Sequence, residues 1–404
     1  MNIKKYIPKF VFTVWHFGLA ILGALVYRFP SKKIKVIGIT GTNGKSTTAN
    51  ICTSVLEAGG LKVAQLSSIV FKIGEEERVN NLKMTMPGRL KIQKFLREAV
   101  DKKCDVVILE VTSEGIEQFR HKFIDFEIGV FTNLSPEHIE SHGGFENYKK
   151  AKGKFFNIPK KVHVLNGDDE YFEYFNSFNV EKKITYSINS DSDFKAVDFD
   201  LREDGSLFKV NNIEYKTNLL GKFNIYNCLV GIAIGNYYGI SEDKIQEGIK
   251  NVKGVPGRME EVISEPFKFF IDYAFTPFAL EKVYQYLHPD IAILGACGGG
   301  RDKWKRKVLG ELANKYARTV IITNEDPYDE DPMSIINEVA LNVENPIKIL
   351  DRREAIKKAL ELINDKEVIV ITGKGSETCI MHKNGKREDW SERQVILEEY
   401  KKKA

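Results

Sequence analysis

The chain is poor in cysteine, histidine and tryptophan, with 5, 7 and 3 among 404 residues, and neither sign of charge dominates. Cys52, Cys104, Cys228, Cys297 and Cys379 lie far apart, with no C-x-x-C to join a histidine pair in a zinc site. That excludes a disulfide framework and a structural zinc site, and reads as reduced core thiols in a cytosolic protein. With 60 basic against 56 acidic side chains, the net charge is +4. So small a surplus gives no case for nucleic acid as a partner. Hydrophobic residues at 43% and charged residues at 29% exclude a disordered chain and a polytopic membrane protein. One apolar run stands out. Phe10 to Tyr27 carries only Thr13, His16 and two glycines as interruptions, flanked by Lys4, Lys5, Lys9 and by Arg28, Lys32, Lys33. It sits at the lower limit for spanning a bilayer, and no small-x-small cleavage site follows it.

From Ile34 onward, short β-branched runs alternate with amphipathic stretches. Ile34–Ile39, Lys62–Leu66, Asp105–Val111, Ile128–Thr132 and Val162–Leu165 read as buried strands of a parallel sheet covered on both faces. Residues 184–217, with Asp-Gly and Asn-Asn turns, read as a β-meander on the sheet edge. Helices are expected over 224–238 and from Ser241 to about Asn251. Lys253–Gly257 (K-G-V-P-G) is the strongest break, and the alternation restarts beyond it. Strands are expected at Lys268–Asp272, Ile291–Leu294, Val320–Thr323, Ile347–Leu350 and Val368–Thr372. Helices should begin near Thr276, Lys303, Pro332, Arg353 and Ser391. The fold class is therefore α/β. The expected division is an apolar N-terminal helix in 1–33, a phosphate-loop domain with a mostly parallel sheet in 34–253, and a Rossmann-like domain in 254–404.

The sharpest local signal is Ile37-Gly-Ile-Thr-Gly-Thr-Asn-Gly-Lys-Ser-Thr-Thr48. A β-run ends in a glycine-rich turn and a helix begins at Lys45, so the backbone N–H groups of Gly41, Thr42, Asn43, Gly44 and Thr47 can cradle phosphates. Lys45 would reach the terminal phosphates and Ser46 would offer a hydroxyl to Mg²⁺. Glu110 ends one strand and His138 follows the next, at the edge where open α/β sheets bind ligands. Alone, each is an ordinary core or loop residue; together they suit a magnesium site.

Those motifs, with others in order along the chain, resemble the Mur ligases, ATP-dependent amide-forming enzymes of cell-wall peptide synthesis. The resemblance rests on Thr40–Thr48, Thr85-Met-Pro-Gly88, Glu110–Gln118, Phe131–His138, Ala151-Lys152, Asn166–Asp169 and Phe223–Asn227. It continues through Val255–Glu260, Asp272–Pro277, Gly298–Lys303 and Gly373–Glu377. The pattern is most similar to the tripeptide-forming branch, which adds the third amino acid to UDP-N-acetylmuramoyl-L-Ala-D-Glu. The resemblance implies that Lys45 and Ser46 hold the β- and γ-phosphates with Mg²⁺, and that Glu110 and His138 bind the metal. Lys152 would be carbamylated by CO₂ to support it; by charge pattern alone, Lys152 is one lysine of a solvated face. Asn224 and Asn227 would face the adenine, and Arg258 and Asp272 the ribose and phosphates. Thr85, Ser113 and Arg120 would serve the muramyl-peptide donor. Asp326, Tyr328, Gly373 and Glu377 would serve the incoming amino acid. A donor carboxylate would become an acyl phosphate, then an amide on attack by the amine.

The chain departs from that pattern at five places. S-S-H-G reads Thr112-Ser-Glu-Gly115, D-Y-A-H-T-P carries Phe275, G-K-G-H-E carries Ser376, and D-N-P-R reads Glu325-Asp-Pro-Tyr328. About 33 residues precede the phosphate loop, fewer than the threshold near 40 for an independent UDP-binding domain. Tyr328 cannot read a carboxylate as an arginine fork does. The carboxylates of Glu325, Asp326, Asp329, Glu330 and Asp331 either form a solvated acidic loop or favour a cationic, lysine-like amine over diaminopimelate. Two other functions stay open: a catalytically weakened nucleotide-binding subunit or membrane scaffold, and a folylpolyglutamate-type sister ligase. Residues 4–28 either pack on the protein's own surface or associate with the inner face of the cytoplasmic membrane.

Overall fold

The computed structural model describes residues 9–403. The chain divides into two compact units. One runs to Leu134 and resumes over Glu146–Lys253; the other comprises Ser135–Phe145 and Gly254–Ala404.

The first unit is built on an 11-stranded sheet. Its strands are β1 (Lys35–Thr40), β2 (Val63–Leu66), β3 (Val70–Ile73), β4 (Glu76–Val79), β5 (Val106–Glu110) and β6 (Ile128–Phe131). They continue as β7 (Val162–Asn166), β8 (Lys182–Ser187), β9 (Phe194–Arg202), β10 (Gly205–Val210) and β11 (Ile213–Thr217). The spatial order is β11-β10-β9-β8-β7-β6-β1-β5-β2-β3-β4. The run from β9 to β2 is parallel, and antiparallel pairs close both edges. The expected meander over 184–217 is corrected in part: β8 belongs to the parallel run, paired with β7, and only β9–β11 meander. The β3–β4 hairpin went unseen because Phe-Lys-Ile and Glu-Glu-Arg-Val lack a buried run. At the centre, β1 lies between β5 and β6, so the chain order reverses there, the place where open α/β sheets bind ligands at the strands' carboxyl ends.

Helix α1 (Lys9–Val26) packs along α3 (Arg89–Asp101). Ala20 and Ala24 are buried. A Cβ on Gly23 would lie 3.4 Å from Leu90 Cα, so the two backbones approach closely. Phe17 meets Phe119 and Phe123 with ring centroids 5.8 and 5.7 Å apart. Among the described residues no helix is long and apolar enough to cross a membrane; the spanning form of the N-terminal expectation is thereby corrected. The remainder of that expectation, residues 4–8, lies outside the described residues.

The second unit holds a six-stranded sheet of β12 (Glu260–Ile263), β13 (Lys268–Asp272), β14 (Ile291–Leu294), β15 (Thr319–Thr323), β16 (Ile347–Ile349) and β17 (Val368–Thr372). The order is β12-β13-β17-β14-β15-β16, parallel except for β12 at the edge. Thr276 and Asp331 cap the helices Pro277–Leu287 and Pro332–Ala340 through their side-chain oxygens, which fixes both helix starts next to strand ends.

Burial leaves a pH signature in the first unit. His163 on β7 is fully buried, its ring 5.0 Å from the Phe156 centroid. Burial holds its pKa at about 4, below the ordinary 6.5. An unfolded chain takes up that proton near pH 6.5, whereas the folded chain does so only near pH 4. Stability should therefore fall as pH drops through that window, by at most about 1.4 kcal/mol per pH unit from this group. Denaturant midpoints across the window should fall less steeply for His163→Leu than for wild type, and parallel curves would refute the assignment.

Candidate active site

The glycine turn between β1 and α2 (Lys45–Ala58) is fixed by the chain that follows β6. Thr42 N donates to Asn133 O at 2.8 Å, Asn43 N donates to Asn133 Oδ1 at 2.9 Å, and Thr132 Oγ1 donates to Asn43 O at 2.8 Å. Gly41 and Gly44 take φ of +152° and +82°, which side chains resist. A Cβ on Gly41 would overlap Thr132 Oγ1, and one on Gly44 would lie 2.7 Å from Asn227 Oδ1. Asn227 in turn accepts from Thr48 Oγ1 at 3.0 Å and donates to Asn224 Oδ1 at 2.8 Å. These two asparagines of helix Lys222–Tyr237 thus brace the phosphate loop from behind.

Four expected residues gather around this turn. Lys45 Nζ curls back to Gly41 O and Thr42 O at 3.0 and 2.8 Å. Lys152 Nζ donates to the same Gly41 O at 2.8 Å and lies 4.9 Å from the Tyr148 ring centroid. It is 2% exposed while Lys150 and Lys154 face solvent, so the solvated-face reading does not hold for it. Ser46 Oγ is 2.7 Å from Ser68 Oγ. Ser68 N donates to Glu110 Oε1 at 2.9 Å. Among the described residues no three histidine, cysteine or acidic side chains cluster as a metal site. One carboxylate with hydroxyls beside a phosphate cradle nevertheless suits Mg²⁺, which keeps waters and takes substrate phosphates as ligands. The glycine cradle at the start of a 14-residue helix likewise fits nucleotide phosphates.

His138 belongs to the other unit, where it opens the short helix Ile139–His142 with φ +54°. Its neighbour Glu137 is buried and paired with buried Lys305 at 3.0 Å. Thr85, Ser113 and Arg120 lie in the first unit, whereas Arg258, Asp272, Asp326, Tyr328, Gly373 and Glu377 belong to the second. Asp272 accepts from Met259 N and Ala274 N at 2.8 and 2.7 Å, and burial raises its pKa. Arg258 stacks 4.3 Å from the Tyr273 ring centroid. Lys374 is fully buried and binds Asp326 at 3.0 Å and Glu377 at 2.6 Å. Gly373 has φ +102°, and a Cβ there would meet Glu325. Arg301 lies 5.5 Å from the Tyr328 ring centroid. Most of the acidic run is already engaged: Asp329 accepts from Asn384 N, Glu330 pairs with Lys303 and Arg306, and Asp331 caps a helix. Glu325 is different. Buried, with its pKa raised by burial, it takes a bond from the Cys297 thiol at 2.9 Å.

Residues 39–235 match the Mur ligase middle domain, and residues 257–375 match the Mur ligase glutamate ligase domain. A UDP-N-acetylmuramoyl-L-alanyl-D-glutamate–2,6-diaminopimelate ligase of Syntrophomonas wolfei is 36% identical over 380 residues, covering 89% of this chain and 77% of that protein. The chain belongs to the Mur ligase family. The same-named ligase of Clostridium perfringens is 37% identical, with 94% and 81% covered. A solved structure with that name superposes on this Mur ligase with a TM-score of 0.63 at 28% identity, over 92% of this chain and 79% of the other. Mycobacterium tuberculosis folylpolyglutamate synthase shares the fold, with a TM-score of 0.74 at 18% identity, over 88% and 92%.

Several polar residues of this Mur ligase escaped the sequence reading. Ser68, Asn133, Glu137, Lys305 and Lys374 gain their meaning only from partners distant in sequence. Tyr148 could have been found, since Tyr148, Lys152 and Phe155 follow the i, i+4, i+7 spacing of one helix face.

Proposed function

We propose that this chain is an ATP-dependent, ADP-forming amide ligase of the tripeptide-forming branch. It would join an amino acid to a muramyl-peptide-like carboxylate through an acyl phosphate, with residues 34–253 as the ATP-binding domain and 254–404 as the C-terminal domain. The observation that carries this reading is the gathering of Lys45, Ser46, Glu110 and Lys152 around one glycine turn. Lys45 is placed to follow the charge that develops on the transferring phosphoryl group. Ser46 and Glu110 would hold Mg²⁺, which neutralises phosphate charge when bound. A subunit that merely binds nucleotide does not need a buried lysine beside this turn. ADP release that requires both a muramyl peptide and an amine supports the proposal; release independent of either refutes it.

Lys152 would act as its carbamate, turning a buried ammonium into a carboxylate beside the metal. Lys152→Ala should lose activity and regain part of it with a small carboxylate such as acetate. Rescue by a small amine instead would refute the carbamate.

For the amine, Tyr328 stands where a diaminopimelate reader would present an arginine fork. Glu325 is buried and accepts from the Cys297 thiol, and burial outweighs the pull of Lys374 and Arg352 in raising its pKa. A lysine-like diamine should therefore have the higher kcat/KM in competition with meso-diaminopimelate, and the reverse order would refute this preference.

The N-terminal helix supports association with the inner face of the cytoplasmic membrane. Val14, Trp15, Leu22, Leu25 and Val26 are exposed on α1, and Arg28, Lys32 and Lys33 are exposed at its end. An apolar stripe with a basic rim suits an interfacial helix over an anionic surface.

A further inference from the structure

The outward and inward faces of α1 point to different things. Val11, Val14, Trp15, Leu22, Leu25 and Val26 form an exposed apolar stripe at helical spacing, with Trp15 63% and Val14 66% exposed. The opposite face lies on two segments. One is the start of α3, directly after Thr85-Met-Pro-Gly88, which Gly23 approaches at Arg89, Leu90 and Gln93. The other is the Phe119–Asp125 loop, held by the Phe17 ring contacts and by Ser31 Oγ, which accepts from Asp125 N at 3.1 Å. That loop follows α4 (Ser113–Glu117), whose N-cap Thr112 comes two residues after Glu110.

The floor beneath α1 is cationic. Arg89 is buried and donates to Gln118 O. Arg120 donates to Met86 O and Gln118 Oε1. Neither guanidinium has a carboxylate within ion-pair distance among the described residues, and burial lowers the pKa of both. The segments expected to hold the acyl donor are thus the ones that the inward face of α1 covers, and they carry two guanidinium groups, with Glu114 acting on that of Arg120.

We propose that the acyl donor is an amphiphile: a muramyl-peptide-like carboxylate joined through phosphate to an apolar chain that stays in the bilayer. The proposal rests on the ligase reading above and names the class of its donor. The occupant of the stripe is an anionic lipid bilayer, matched by Arg28, Lys32 and Lys33 at its rim. A donor in that bilayer would arrive on the side of the first unit that carries Thr85, Ser113 and Arg120, with its phosphates near the partly exposed Arg120. Confinement of enzyme and donor to one surface raises their effective concentration.

The test compares two donors of the same muramyl dipeptide, one soluble and UDP-linked, one linked to polyprenyl diphosphate in phosphatidylglycerol-containing vesicles. ADP release is followed on the full chain. The vesicle-borne donor should give a kcat/KM on the order of a hundredfold higher. A variant with Trp15→Ser, Leu22→Ser and Leu25→Ser, all at exposed positions, should lose that advantage and keep its rate on the soluble donor. Equal kcat/KM on both donors, or an advantage that survives in the variant, overturns the amphiphile and leaves the ligase reading standing. ADP release with the soluble donor alone does the same. No amine-dependent ADP release with either donor overturns both.

Discussion

Lys45→Ala should lower amine-dependent ADP release by about a hundred- to a thousandfold, the usual cost of removing one charge-assisted donor from a developing oxyanion, roughly 2.7–4 kcal/mol. The fold should survive the change. In the structure the ammonium donates to two nearby carbonyls, Gly41 O and Thr42 O. The loop itself is held by Asn133, Thr132 and the Gly44–Asn227 contact. Thermal melting close to wild type, with turnover lost, is the expected pair of results. Turnover within a few-fold of wild type would refute phosphoryl transfer at this loop.

Lys374→Met should be the most damaging change in the second unit. Its ammonium is fully buried between Asp326 and Glu377 and also donates to Cys379 O at 2.7 Å. Methionine fills similar space but takes the ammonium away from Asp326, itself 2% exposed, which keeps the bond from Met381 N at 2.7 Å. Breaking a buried pair from one side costs about 3–5 kcal/mol, measurable as a lowered denaturant midpoint. Asp326 and Glu377 are both assigned to the incoming amine, so the amine KM should rise while that for ATP stays near wild type. A stability loss under about 1 kcal/mol, the range of exposed pairs, would show that this network does not carry the load assigned to it.

The parallel strands were legible because each is a short β-branched run buried on both faces. Lys268–Asp272, Ile291–Leu294 and Val368–Thr372 coincide with their expected ranges. The edge strands β4 and β12 were not, since they mix charge with apolar residues and owe their pairing to a neighbour, whereas the edge strand β16 was expected at Ile347–Leu350. At the site, the glycine turn and Lys45 were readable because phosphate binding needs a local sequence. Charge alone could not separate Lys152 from its neighbours, because its burial depends on Gly41, 111 residues away. The acidic run 325–331 misled in another way. Composition suggested one collective field, whereas the fold spends most of its carboxylates on caps and ion pairs, leaving Glu325 apart.

A sheet of 11 strands has two open margins, and an open margin can recruit another chain by backbone pairing. The protein treats its two margins differently. On one side β4 presents Glu76, Glu77 and Arg78 to solvent, so an approaching strand would meet charge on both signs with little apolar surface to bury. On the other, helix Glu242–Asn251 packs against β11, and Gln246 Nε2 donates to the Glu214 carbonyl at 2.7 Å, occupying an acceptor that a foreign strand would need. One margin is repelled by hydration and the other is closed by a side chain standing in for a backbone, so the sheet ends where it does without becoming a barrel.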